Sequence, residues 1–478
     1  MNRWTSQARL AAAFCSLALA AGCASSGTAS QRTTEPLRLD PPAVLEGRIA
    51  GSPSPTPSPA QSGSPAPTPS TPLPEPEPAQ PTAFGGLVAN AERCERIRTQ
   101  ARSNPPLFSE TSIFNTPAAC LALHPDSESW AERWFNYANL PGRTDPKRRG
   151  ELDIAFDAYA TPIYDAAEAT GTIKVFHPAW AWKSDVGPSG TIPWNPAWRP
   201  APGNDAELTI VDYTTGMEWG LWGVMLTNTT GCWTVENFLN GYRDGTSLCV
   251  WTAHLGRNTD GTLADGRSGD GYSLVGDRGM GRLHSRTLLP LLDEVEKGSI
   301  NHAVNMETYA TMFGPGCTAQ DVSAGKAGSG CGYAVSPATR LEFPERPLDC
   351  GASTQAFTVE GRSKSVPEGM RFVLNKTDAE IDAWLDGRGY VGAKRRTARI
   401  FAVALRDYGW IISDSTCWNS SMAVEGVANP SARARWRELG ITDPSKDGAL
   451  LRGLIESADE VLVLKPNTDQ LFTTVHGF

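Results

Sequence analysis

Between Arg396 and Asp414 the spacing of apolar positions changes period midway. Thr397, Phe401, Leu405 and Tyr408 recur at helical spacing and make one apolar stripe. Gly409 follows where a helix C-cap takes a left-handed residue, and Trp410-Ile411-Ile412 then reads as a strand ending on Asp414. Helix, glycine stop and strand make a scaffold that presents a carboxylate. Upstream, Glu207–Tyr213 alternates so that Leu208, Ile210 and Asp212 share one face, and Met217–Leu226 is its return strand. A loop of Thr214-Thr215-Gly216 sets Asp212 opposite Glu218; a two-residue loop sets it opposite Trp219. Strands are also expected at Pro162–Tyr164, Ile173–Phe176, Ser299–Val304 with His302 inside it, Arg371–Leu374 and Glu460–Leu464. Thr377–Glu380 is a capping box that starts a helix to Leu385, and Thr287–Lys297 is a short helix stopped by Gly298. Together these elements predict a mainly β head, a jelly-roll-like β-sandwich with helical insertions and a small helical C-terminal part.

The N-terminal pattern is different. Arg3 and Arg9 precede the apolar run Leu10–Ala21, and Leu19–Cys23 resembles a lipobox with Cys23 as the lipidated residue. Residues 1–23 are thus expected to be a lipoprotein signal peptide. Residues 24–83, rich in Pro, Ser and Thr, are expected to be a disordered stalk too polar to bury a core. Residues 84–478 form the head. The expected place is extracytoplasmic, as a monomer tethered to the membrane through Cys23.

Of ten cysteines, Cys15 and Cys23 belong to the leader, and the eight in the head read as disulfides of an exported protein. Proximity suggests Cys94–Cys120 and Cys232–Cys249, with Cys317, Cys331, Cys350 and Cys417 sharing two bridges. Their spacing makes no zinc site, and no metal or other cofactor is expected. A net charge of −9 without a basic patch argues against nucleic acid. All but one of the fifteen tryptophans lie in the head, a composition suited to stacking on the apolar faces of sugars.

Asp212, Glu218, His302 and Asp414 are the candidate catalytic residues, because each is a polar group set in or beside an apolar run. Asp212 and Glu218 would form the carboxylate pair of a glycoside hydrolase. Trp219, Tyr408 and Arg282 are candidate substrate-binding groups, the arginine suiting a uronate. Two alternatives stand beside hydrolysis: a polysaccharide lyase using His302 as base, and a lipoprotein that only binds a glycan or the cell envelope. Gly271–Val275 lacks the second glycine of a serine-hydrolase elbow.

The order of motifs is itself informative: Asn115 in SIFNTP, Asp212 with Glu218-Trp219, GSINHAV with His302, PEGMRF at Pro367–Phe372, and ALRDYG leading to Asp414. This order resembles a family of exported actinobacterial lipoproteins with a jelly-roll-like head. The resemblance implies export and a glycan-active type of architecture, and carries over no activity.

Overall fold

The structure, a computed structural model, describes residues 87–106, 112–176, 190–203, 205–227, 247–250, 252–257, 286–309, 311–341 and 359–473. Its strands in chain order are β1 (Leu152–Ala155), β2 (Ile163–Asp165), β3 (Gly171–Phe176), β4 (Thr191–Trp194), β5 (Leu208–Asp212), β6 (Met217–Trp222), β7 (Met225–Thr227) and β8 (Ser247–Cys249). There follow β9 (Thr252–Arg257), β10 (Val304–Thr308), β11 (Ala334–Val335), β12 (Arg371–Leu374), β13 (Trp410–Ser415), β14 (Ser420–Ala423), β15 (Val461–Val463) and β16 (Leu471–Phe472). The longer helices are α1 (Ala91–Ala101), α2 (Ser127–Tyr137), α3 (Leu292–Lys297), α4 (Asp378–Gly387), α5 (Gly392–Asp407) and α6 (Pro430–Glu438).

Helix α5 and strand β13 fall where the apolar period changes. Thr397, Phe401 and Leu405 are buried, and Arg395, Arg399 and Arg406 on another face pair with Asp386, Asp382 and Asp378 of α4 at 2.7, 3.1 and 2.9 Å. Thr377 caps α4 as expected, with Glu380 completing the box. Gly409 has φ +77°, and a Cβ there would lie 2.1 Å from the Phe372 carbonyl oxygen, so only glycine lets the chain turn from helix into strand at this point.

β13 enters a six-stranded sheet in the order β1-β14-β10-β13-β12-β15. β10 runs parallel to β13 and β1 parallel to β14, whereas β12 is antiparallel to both its neighbours. Parallel neighbours need a long crossover, and the chain from β10 to β13 passes through α4 and α5. α5 packs against β12. Trp134, Phe372 and Trp410 are buried in that core, with the Phe372 and Trp410 rings stacked at 5.9 Å.

Two further sheets, β2-β5-β6-β9 and β4-β3-β8-β7, have four strands each and share one core. Leu208, Ile210 and Leu221 of the first meet Val175, Ile192, Leu226 and Leu248 of the second, with Tyr164 stacked on Trp198 at 5.1 Å. The other face of the first sheet packs Val211 against Leu289 and Ala423 of the six-stranded region.

The head is therefore β-rich, with several sheets and helices among them. Two differences from the sequence reading stand out. Helices are spread along the chain from α1 to α6 rather than gathered as insertions and a C-terminal tail. The largest sheet also holds parallel pairs where a jelly roll is antiparallel. Apolar alternation marks a strand without naming its neighbour, which is why the mixed pairing was invisible to it.

Disulfides join Cys94 to Cys120, as proximity suggested, and Cys317 to Cys331; Cys249 and Cys417 are disulfide-bonded as well. Among the described residues no helix is long and apolar enough to cross a membrane.

Candidate functional site

β10 and β13 pair regularly from Val304 beside Trp410 to Met306 beside Ile412. The register then skips Ser413, so that Glu307 stands beside Asp414. This bulge turns Asp414 onto the face that Glu307 occupies, since side-by-side residues on neighbouring strands share a face. Glu307 also faces Ser421 of β14, and Asp414 accepts the Ser415 amide at 2.8 Å through Oδ1. Asp414 is thus delivered at the carboxyl end of a parallel strand pair, where open sheets of this kind commonly place ligands.

Its partner comes from the base of the β5–β6 hairpin. Asp205 precedes β5, and its carbonyl accepts the Gly223 amide at 2.7 Å while the Ala206 carbonyl accepts the Val224 amide at 3.1 Å. These bonds hold Ala206 at φ +41°, a left-handed conformation that costs a non-glycine residue roughly 1 kcal/mol. Trp222, at the end of β6, donates its indole N–H to the Asp205 carboxyl. Burial first, and then the negative charge of Asp414, push Asp205 up to about 7, against the opposing bond from Trp222. At neutral pH the site therefore offers a protonatable carboxyl within electrostatic reach of a second one. Asp205, Trp222, Glu307 and Asp414 are all half-buried, so solvent reaches each of them.

The other expected residues lie elsewhere. Asp212 faces Met217, and Val211 faces Glu218, across a four-residue turn that ends at left-handed Gly216. Neither expected register is formed, and the alternation puts Asp212 and Glu218 on opposite faces of the sheet. Asp212 closes the turn instead: its Oδ1 accepts the Thr214 and Thr215 amides at 2.9 and 3.2 Å, and its Oδ2 the Thr215 hydroxyl at 2.6 Å. The Thr215 hydroxyl, followed by those amides, holds its carboxyl below the usual aspartate value. Glu218 is buried in an ion pair with Arg286 at 2.5 Å.

His302 sits just before β10 rather than inside a strand. Its Nδ1–H donates to the Ala303 carbonyl at 2.7 Å, and Nε2 lies 3.1 Å from Oε2 of Glu294. Burial pulls the imidazole down, but Glu294 and the Ala303 carbonyl outweigh it and hold the ring above its usual value. A buried imidazole engaged at both nitrogens is a structural cation. Tyr408 is buried against Cys94, Ile97 and Ala119, and Trp219 packs on the core shared by the two four-stranded sheets. Arg371 donates to the carbonyls of Tyr408, Ile113 and Thr116, and burial draws its guanidinium down to about 9, still charged at neutral pH. Arg282 and Cys23 lie outside the described residues.

Of the four expected catalytic residues, Asp414 lies within electrostatic reach of Asp205, whereas Asp212 closes a turn, Glu218 pairs with Arg286 and His302 with Glu294. Sequence reasoning missed Asp205 because it belongs to a short Pro-Gly-Asn-Asp loop without periodicity. Among the described residues no group of His, Cys, Asp and Glu is placed to hold a metal ion. No family model, curated protein or solved structure matches this chain.

Proposed function

We propose that the chain is a polysaccharide hydrolase in which Asp205 is the general acid and Asp414 the base or nucleophile. The observation that carries this reading is the bulge that turns Asp414, together with the hairpin base that holds Asp205, whose carboxyl burial and the Asp414 charge raise to about 7. In glycoside hydrolysis one carboxyl protonates the leaving oxygen while the other works on the opposite side of the sugar ring. Asp205 has the proton to give near neutrality, and Asp414 stands fixed on a bulged strand beside it. Two four-stranded sheets closed on one core support the sandwich-type, glycan-active architecture expected from the sequence. The disulfides Cys94–Cys120 and Cys317–Cys331 support export, because such bonds persist in oxidising compartments. On this reading the protein is anchored through Cys23 and acts on envelope or environmental glycan.

The lyase alternative loses its support, since His302 is engaged at both nitrogens. The test is reducing-end release by the oxidised full chain from a panel of envelope and plant polysaccharides. Asp205→Asn and Asp414→Asn should each abolish release from whichever glycan is cut, while both variants still unfold in one cooperative transition. Release that survives in both variants, or a panel on which nothing is cut, would remove the hydrolase.

A further inference from the structure

Beyond Asp414 the chain leaves β13 and crosses the carboxyl end of β10 to reach β14 on its far side. Residues 416–419 make that crossing, with the Thr416 amide bonded to the Thr308 carbonyl at 3.3 Å. The loop is firmly held. Cys417 is buried and disulfide-bonded, the Trp418 amide donates to Oγ1 of Thr416 at 3.4 Å, and the Trp418 carbonyl accepts the Leu140 amide at 3.1 Å. Asn419 donates to Asp153 at 2.7 Å. With its backbone pinned on both sides, Trp418 still leaves 43% of its surface in water. Every other tryptophan whose burial is described is buried or half-buried.

We propose that Trp418 is the stacking platform for a pyranose ring of the glycan, in a subsite beside the bond cleaved at Asp205 and Asp414. The proposal rests on the hydrolase reading for the second half of that statement. Trp418 lies four positions after Asp414, so their Cα atoms are at most about 14 Å apart, a span of roughly two or three sugar rings. Both lie at the carboxyl ends of the parallel pair β10 and β13, the edge at which a ligand meets loops of one sheet together. An indole on a backbone that is already held presents a flat apolar face with a reduced ordering cost at the moment of binding, which favours a sugar platform.

The experiment uses the full oxidised chain carrying Trp418→Ala or Trp418→Phe, each alone and in the Asp414→Asn background. Val391→Ala, an exposed apolar change elsewhere, is the control. Probes are xylan, hydroxyethylcellulose, soluble starch and a soluble β-1,3-glucan, read as retention in affinity gels and as cleavage kinetics. Trp418→Ala should weaken retention about tenfold and raise KM with little change in kcat, Trp418→Phe should restore part of the loss, and Val391→Ala should match its parent. Cleavage and retention unchanged by Trp418→Ala would overturn the platform and leave the hydrolase standing. Retention that depends on Trp418 without any cleavage would keep the platform and remove the hydrolase. A protein that neither cuts nor holds any of the probes overturns both.

Discussion

One β-hairpin carries two aspartates whose surroundings make them opposites. At its tip, Asp212 receives two amides and a hydroxyl, all of which favour the charged form. At its base, Asp205 is half-buried, meets the charge of Asp414 and is pushed up to about 7. The tip aspartate is spent on turn geometry; the base aspartate holds a proton that chemistry can use. Residue type was the same, and so was the hairpin. Desolvation and the charge of Asp414 at one carboxyl, against donors aimed at the other, decided the difference.

The sharpest way to break the comparison is to remove the base aspartate's proton. Asp205→Asn is expected to lower kcat/KM by about a thousandfold, within the usual range for loss of a general acid. Wild-type kcat/KM should fall as pH rises past about 7, where Asp205 loses its proton. Stability has the same direction. A carboxyl raised above its unfolded value, near 3.8, gives stability that is complete below that value and lost as pH climbs through about 7. Melting temperatures of Asp205→Asn should therefore decline less than wild type over that interval. Parallel pH curves for the two proteins would mean that Asp205 is not the raised group.

Glu218 tests the hairpin between its two ends. It was expected to work with Asp212, yet it lies on the opposite face and neutralises buried Arg286. Glu218→Ala leaves that guanidinium buried without its carboxylate and should cost about 3–5 kcal/mol in chemical denaturation. A stable Glu218→Ala protein that lost only activity would return Glu218 to the site and unseat Asp205.

What was legible in the sequence was local. The stripe from Thr397 to Leu405, the stop at Gly409, the strand to Asp414 and the capping box at Thr377 are each fixed by neighbours within one or two turns, and all are found. The Cys94–Cys120 bridge closes a short stretch and was equally readable. The site was not, because it depends on three non-local facts. β10 lies parallel to β13, the register slips at Ser413, and the base of a hairpin over two hundred residues earlier in sequence reaches Asp414. Turn length defeated the Asp212–Glu218 pairing in the same way: a four-residue turn shifts the register and sends the two carboxyls to opposite faces.

A smaller effect is expected at His302, which separates a structural imidazolium from a catalytic base. Its value is raised in the folded chain, so the stability it gives with Glu294 is full below its unfolded value and lost as pH rises through the folded one. Glu294→Gln should flatten the decline of melting temperature above about pH 6.5 and leave the pH profile of kcat/KM in place. A shifted activity profile instead would put His302 into the chemistry.

The smallest change should come from the hairpin tip. Asp212→Asn keeps an oxygen for the Thr214 and Thr215 amides but loses the anionic acceptor of the Thr215 hydroxyl. Because the Asp212 carboxyl is held below its usual value, its stabilising contribution is present above the unfolded aspartate value and disappears as pH falls through the folded one. Wild type and Asp212→Asn should therefore differ slightly in melting temperature at neutral pH, converge in acid, and show the same kcat/KM throughout. A loss of kcat/KM as large as that of Asp205→Asn would invert the comparison, because a turn-closing carboxylate facing solvent would then be shown to do the work assigned to the raised carboxyl at the other end of the same two strands.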